Sequence, residues 1–355
     1  MRKKSAKWTR LTEWEHWPTY TYYVPLLPFF FMRFLKAGHP NHYLTANPGI
    51  KYSGNGTESK FNTLSLVPEK YRPMSLLVTP EDRTDLEKKL EELGLSFPLI
   101  VKPDRGFRGY LVKKIDSARA LSKYLNQVQT DVLIQEFIPY SKELGIFYHR
   151  YPGQDRGQVT SVTIKEFLKV IGDGCKTIGE LIQEDSRAYL YHDLFARIHK
   201  ENIDRVLDVG EELQLSVIGN HSKGTRFVNG NHLIDQGLNS FMDRICKPMK
   251  GFYYGRLDIK YESHDQLLRG ERFKIIEVNG IISEPTHIYD ASHEKASFLN
   301  ALKTINSHWR IMSQIAHINH HKNRVAYPGV IEYIHNMRWL RSHSQMLKTL
   351  NSAEI

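Results

Sequence analysis

Cysteine is nearly absent: Cys175 and Cys246 are two in 355 residues, and neither has a metal-type spacing. A framework of bridges is excluded, and a reducing cytoplasm is the expected location. No apolar run reaches the roughly 20 residues that a spanning helix needs. Signal-peptide order is missing as well. Glu13 and Glu15 separate the basic arm (Arg2, Lys3, Lys4, Lys7, Arg10) from the apolar stretch that follows, and no clean cleavage site comes after it. The chain has no internal repeat, and no nucleic-acid motif accompanies its net charge of +10. A nucleic-acid partner is therefore not expected, which leaves polyphosphate or an anionic surface to match the charge.

What is present reads as an ordinary globular enzyme. Hydrophobic residues make up 41% and charged residues 25%, which argues against wholesale disorder. The length exceeds one simple core and implies two or three subdomains. Residues 14–35, "WEHWPTYTYYVPLLPFFFMRFL", are densely aromatic, with Pro18, Pro25 and Pro28 inside. Two readings stay open for them: packing on the body or at a homodimer contact, or attachment at a membrane surface through residues 1–40 at its inner, cytoplasmic face.

From residue 70 the pattern becomes regular. A helix from the cap Thr79 through about Leu93, with Pro80 first, precedes strands at 97–103 and 110–115. A helix capped by Asp116 spans 116–127, followed by strands at 131–138, 143–151 and 157–171. A helical stretch is expected to start at "TIGELIQ" (177–183), with helices at about 186–199, 236–249, 294–315 and 331–350 and long strands at 252–261 and 272–279. The order predicts an α+β fold with two sheets facing across a cleft.

Chemistry concentrates on the last two strands. In "GRLDIKY" (255–261), Arg256 and Asp258 share a face. In "KIIEVNG" (274–280), Glu277 and Asn279 share a face, with Ile276 and Val278 on the other. If the strands are antiparallel neighbours, three oxygen-bearing side chains meet one guanidinium. An internal salt bridge is one reading; a magnesium–phosphate site is the other, since hard cations take oxygen ligands and the arginine fork matches phosphate.

Arg-x-Asp on one strand and Glu-x-Asn on the next resembles the metal signature of the ATP-grasp superfamily, in its D-alanine–D-alanine-ligase-like branch. Further elements follow in that family's order. "FPLIVKP" supplies Lys102 before a phosphate loop at "DRGFRGY", with Arg105, Gly106, Arg108 and Gly109. "QEFIPYSKE" supplies Glu136, Phe137 and Ile138 toward adenine and Glu143 toward ribose. "ESKFNTLSLVPEKYRP" offers Lys60 to the phosphates. "IGDGCKTIGELI" (171–182) is similar to a segment of cyanophycin synthetase and of bifunctional glutathione synthetases. The resemblance covers roughly 58–285. It departs where a Rossmann-like domain is usual, since the aromatic segment has no such pattern, and its loop carries fewer small residues. Whether the loop arginines contact phosphate or face solvent stays open.

The resemblance implies an ATP-grasp fold of two α+β subdomains clasping ATP: 1–57 an atypical N-terminal segment, 58–140 the first subdomain, 141–310 the second with the metal site, and 311–355 a helical extension. It implies a ligase that joins small-molecule carboxylate and amine substrates, amino-acid or peptide-like, through an acyl phosphate with release of ADP. ATP and two Mg2+ ions (Mn2+ as substitute) would be bound, the metals by Asp258, Glu277 and Asn279. Arg256, Lys102, Lys223 and Arg226 are the catalytic candidates, the last two in a basic loop on the substrate side. A small-molecule kinase and a non-catalytic nucleotide-binding membrane protein are the alternatives. Lys165, His287 and Tyr289 could face the cleft or pack elsewhere, and "HINHH" (317–321) is expected as a solvated turn.

Overall fold

The computed structural model describes residues 6–106, 109–293 and 296–353. Helices α1 (Ala6–Thr12), α2 (Tyr20–Tyr23) and α3 (Leu27–Ala37) come first. Then follow α4 (Lys60–Ser65), β1 (Ser75–Val78), α5 (Leu86–Glu92), β2 (Leu99–Pro103), β3 (Lys113–Ile115), α6 (Ala118–Gln127) and β4 (Val132–Glu136). The next elements are β5 (Lys142–His149), β6 (Gln158–Glu166), β7 (Lys169–Ile171), α7 (Ile178–Glu184), α8 (His192–Ile198), β8 (Glu212–Gln214) and β9 (Arg226–Asn229). The chain ends with α9 (Gln236–Cys246), β10 (Tyr254–Tyr261), α10 (His264–Arg269), β11 (Phe273–Asn279), α11 (Phe298–His321) and α12 (Val330–Ala353).

The strands form two main antiparallel sheets, ordered β1-β4-β2-β3 and β11-β10-β5-β6-β9, plus the pair β7-β8. Each sheet buries one face against helices. On the smaller, Leu121, Tyr124 and Leu125 of α6 and Leu86 and Leu90 of α5 meet Leu99, Val101 and Ile134. On the larger, Leu238, Phe241, Met242 and Ile245 of α9 cover Leu144, Ile146, Leu257, Ile259 and Ile275. Each such fully buried side chain contributes about 1.5–3 kcal/mol of transfer free energy. Residues of both sheets line one cavity, and the expected α+β fold with two facing sheets is the one observed.

Several local expectations are corrected. The helix proposed for 79–93 is a 3-10 turn at Pro80–Asp82 and then α5, because Asp85 takes a left-handed conformation (φ 55°) between them. Ser117, not Asp116, caps α6, its Oγ accepting from Ala120 N at 3.3 Å. The strand expected at 157–171 divides into β6 and β7. "HINHH" is the last turn of α11, not a solvated turn, and His320 stacks on Tyr327.

The aromatic N-terminal segment packs with one part and presents another. Tyr22 and Leu26 are buried with Ile288, Ala301 and Ile305, so that part lies on the body. Helix α3 has no buried residue; Val24, Leu27, Phe29, Phe31, Met32 and Leu35 are all exposed. No described helix is long and apolar enough to cross a membrane.

Four histidines are caught in this packing. Burial pushes His16, His149 and His287 down to about 4 and His308 to about 3. With folded values below the usual 6.5, the unfolded chain takes up protons between pH 6.5 and 4 that the folded chain refuses. Stability therefore falls as pH falls, by up to about 1.4 kcal/mol per pH unit per group. Urea midpoints at pH 7 and pH 5 check this: the drop should be smaller in His308→Phe than in the wild type, and an equal drop contradicts it.

Candidate active site

The strands β10 and β11 pair in the register Arg256↔Asn279 and Asp258↔Glu277. The four residues picked from sequence thus lie side by side at one end of the larger sheet, in front of a cavity of about 1050 Å³. One sequence expectation fails here. A register shift after Asp258 pairs Ile259 with Ile275 and leaves Ile276 as an extra residue, and a bulge of this kind breaks strict alternation. Ile275 and Val278 enter the core, while Ile276 lines the cavity with Glu277 and Asn279.

The charges on this face are arranged as a chain. Lys165 is buried and reaches Glu143 Oε1 at 2.6 Å and Asp258 Oδ2 at 3.1 Å. Arg256 Nε donates to Asp258 Oδ1 at 3.0 Å, and its Nη1 to Glu284 O at 3.2 Å. Burial disfavours the charged form of all three paired groups. The neighbours outweigh it: Asp258 and Glu143 hold Lys165 up, Asp258 and Glu277 hold Arg256 up, and Arg256 and Lys165 hold the Asp258 carboxyl down. Internal pairing therefore describes Arg256 and Asp258.

It does not describe Glu277 and Asn279. Among the described residues the Glu277 carboxylate has no ion pair or hydrogen bond, and Asn279 Nδ2 is buried with no partner. An orphaned buried amide costs about 1–3 kcal/mol and marks a place where a ligand would supply the missing partner. Lys102 is in a similar position. Its Nζ makes only long contacts, 3.3 Å to Ile276 O and 3.4 Å to Gln135 Oε1, and burial pushes its ammonium down, with Glu277 the largest opposing influence.

The other residues picked from sequence divide into two groups. Glu136, Phe137 and Ile138 line the cavity where β4 leads into β5; Glu136 Oε2 also accepts from Met74 N at 3.1 Å. Glu143 lines it with one oxygen already held by Lys165. Gly106 and Gly109 line it with φ of 126° and 66°, values that favour glycine. Lys60, at the start of α4, points into the cavity and donates to Gly106 O and, at 3.4 Å, to Asp104 O. Arg105 instead faces Asp131 at 3.4 Å. Arg226 pairs with Glu166 at 3.6 Å and Ser292 at 2.9 Å, and Lys223 sits beside Gly109; neither is among the lining residues. Arg108 and Arg2, Lys3 and Lys4 lie outside the described residues.

Three contributors escaped the sequence reading. Glu58 lines the cavity and its carboxyl is pushed up by burial, with Oε2 accepting from Gly56 N at 2.6 Å. Glu284 accepts from the hydroxyls of Tyr23 and, at 2.7 Å, Tyr289, joining the aromatic segment to the far side of the cavity. His287 turns away to Ser161 Oγ at 2.6 Å. Third is the set Glu15, His16 and His221, whose potential ligand atoms cluster closely. Arg187 donates to both Glu15 oxygens at 3.0 and 2.9 Å, so a guanidinium already occupies the place a cation would take. Only three-dimensional packing brings these residues together, and no sequence motif marks them.

No family model matches this chain, and no curated protein does. Solved structures similar to it include the VanG D-Ala:D-Ser ligase from Enterococcus faecalis, at 16% identity over 72% of this chain and 60% of that one (TM-score 0.40). Others are a bifunctional glutathione synthetase from Pasteurella multocida, at 17% over 69% and 35% (0.36), and a D-alanine–D-alanine ligase from Bacillus anthracis, at 14% over 72% and 68% (0.39). The chain spans less than two thirds of the length of the first two.

Proposed function

We propose that this chain is an ATP-grasp ligase that uses ATP to join a carboxylate to an amine through an acyl phosphate. The observation that carries the reading is an unpartnered carboxylate and an orphaned buried carboxamide, Glu277 and Asn279, side by side before a large cavity that also holds Lys60, Lys102 and Arg256. Hard oxygen donors beside lysines and an arginine suit a metal–triphosphate tail. The residues fit magnesium: the Glu277 carboxylate and Asn279 Oδ1 accept no hydrogen bond among the described residues, Asp258 would share the carboxylate now held by Arg256 and Lys165, and the orphaned Asn279 Nδ2 would donate to a phosphate oxygen. Bound magnesium supplies neutralisation of phosphate oxygens.

The remaining work falls to side chains. Lys102 and Lys60 offset the charge of the phosphates, so that a carboxylate can approach a polyanion. Arg256, which lines the cavity, would steady the charge that grows on a transferred phosphoryl group. Glu136, Phe137, Ile138 and Ile276 offer a mixed polar and apolar wall for a base. The aromatic wall of Trp17, Tyr23, Tyr289 and Trp309 limits water, which would otherwise hydrolyse an acyl phosphate.

ADP release measured with and without carboxylate and amine pools tests this. The wild type should need both pools for full turnover, and Glu277→Gln should lose at least about 100-fold, a loss of the size seen when an electrostatic contributor is removed. Release that ignores the amine and leaves a stable phosphorylated product would favour a kinase; release unchanged in Glu277→Gln sinks the assignment.

A second reading concerns location, and the exposed apolar face of α3 favours it. Of the first 40 residues, seven are Lys or Arg and two are Glu, which suits an anionic lipid surface. The protein should float with vesicles containing phosphatidylglycerol and not with phosphatidylcholine alone, and Phe31→Ser/Leu35→Ser should stay behind. Equal flotation of that variant, or none by the wild type, removes the membrane reading.

A further inference from the structure

Helix α12 runs from one wall of the cavity to the other. Its first half lies on residues 41–57. The hydroxyls of Tyr333 and Tyr43 meet at 3.1 Å, Tyr52 OH donates to Glu332 Oε1 at 2.5 Å, and Asn336 Nδ2 donates to Thr57 Oγ1 at 2.9 Å. That segment is fastened to the end of the β10–β11 hairpin. Asn47 Nδ2 donates to Tyr254 O at 2.7 Å, and the amides of Ile281 and Ile282 donate to Ser53 O and Gly54 O at 3.0 Å. The approach is so close that a Cβ on Gly54 would lie 2.6 Å from Gly280 Cα.

The second half of α12 lies on the loop after β2. His343 Nε2 sits 3.2 Å from Arg105 O, which makes that nitrogen the protonated one. Trp339 stacks on His343 and lies under the Arg105 guanidinium at 5.9 Å. Leu347 is 1% exposed in the core of the smaller sheet, and its Cδ1 would be 2.7 Å from a Cβ on Gly106. The amide of Leu111 donates to Asn351 Oδ1 at 3.0 Å. Lys60 grips the same loop from the opposite side.

We propose that α12 is a positioning element of the reaction site: it holds the loop flanks at 104–106 and 109–111 over the cavity and in register with the face bearing Asp258, Glu277 and Asn279. A loop poor in small residues is then no defect. Its described flanks are held within the fold, so less is left for the nucleotide to impose there. The inference rests on the nucleotide reading above for what the loop binds, but not for whether the helix holds it. His343 and Asn351 are absent from the cavity lining, so they act through the loop and should affect binding more than turnover.

The test uses full-length protein and two readouts. In His343→Phe/Asn351→Ala, which keeps the ring stacked on Trp339 and leaves Leu347 in place, hydrogen exchange at the Leu111 amide should speed up at least about tenfold. Calorimetric Kd for MgATP should rise about tenfold, as expected for two lost hydrogen bonds, with kcat within about twofold. Asn351→Asp, which keeps an acceptor oxygen, should retain slow exchange at Leu111. Should the double variant fold poorly, Asn351→Ala alone carries the exchange measurement. Unchanged exchange overturns the proposal, and so does faster exchange with unchanged Kd, because the helix would then be structural only. A wild type that binds no MgATP would instead remove the nucleotide reading, while exchange at Leu111 would still decide whether α12 holds the loop.

Discussion

Charge balance along one edge of the larger sheet governs this protein. Glu143, Lys165, Asp258 and Arg256 alternate in sign across β5, β6 and β10, each within 3.1 Å of the next. Buried ions are tolerable only with such partners, because desolvating each costs several kcal/mol. The alternation ends at Glu277 and Asn279. There the fold leaves a carboxylate and an amide facing open volume, with Lys102 held nearby by weak contacts. A purely structural network has no reason to stop short of its last members. On the function proposed above, a surface prepared for a polyanion and its cations would.

The surroundings are arranged around that edge. Residues 41–57 brace the end of the hairpin, α12 and Lys60 steady the loop opposite, and the aromatic N-terminal segment closes the far end through Tyr23 and Glu284. The two ends of the chain thus both contribute walls to a cavity whose floor comes from the middle of the sequence.

Much of this was legible in the residues. Arg256, Asp258, Glu277 and Asn279 were readable because strand periodicity places i and i+2 on one face, and pairing of the two strands then brought them together. The pairing of Asp258 with Lys165 was not readable, since β6 joins that face only through sheet topology, and a lone lysine on an amphipathic strand looks like a surface residue. The face of Ile276 was misjudged because a bulge has no strong sequence mark. Glu58 and Glu284 stand only two and five residues from Lys60 and Asn279 but outside any strand, where no periodicity assigns a face, and Leu347 reaches the cavity from a helix distant in sequence. The aromatic segment looked ambiguous and is so in fact, with Tyr22 and Leu26 packed and the face of α3 open.

The central claim is that Glu277 and Asn279 are incomplete without metal and nucleotide. Calorimetric titration of ATP with and without Mg2+, in the wild type and in Asn279→Leu, tests it most directly. The account predicts binding that requires the metal in the wild type and is lost in the variant without loss of fold. Equal ATP affinity with or without Mg2+, or undiminished binding by Asn279→Leu, would contradict it.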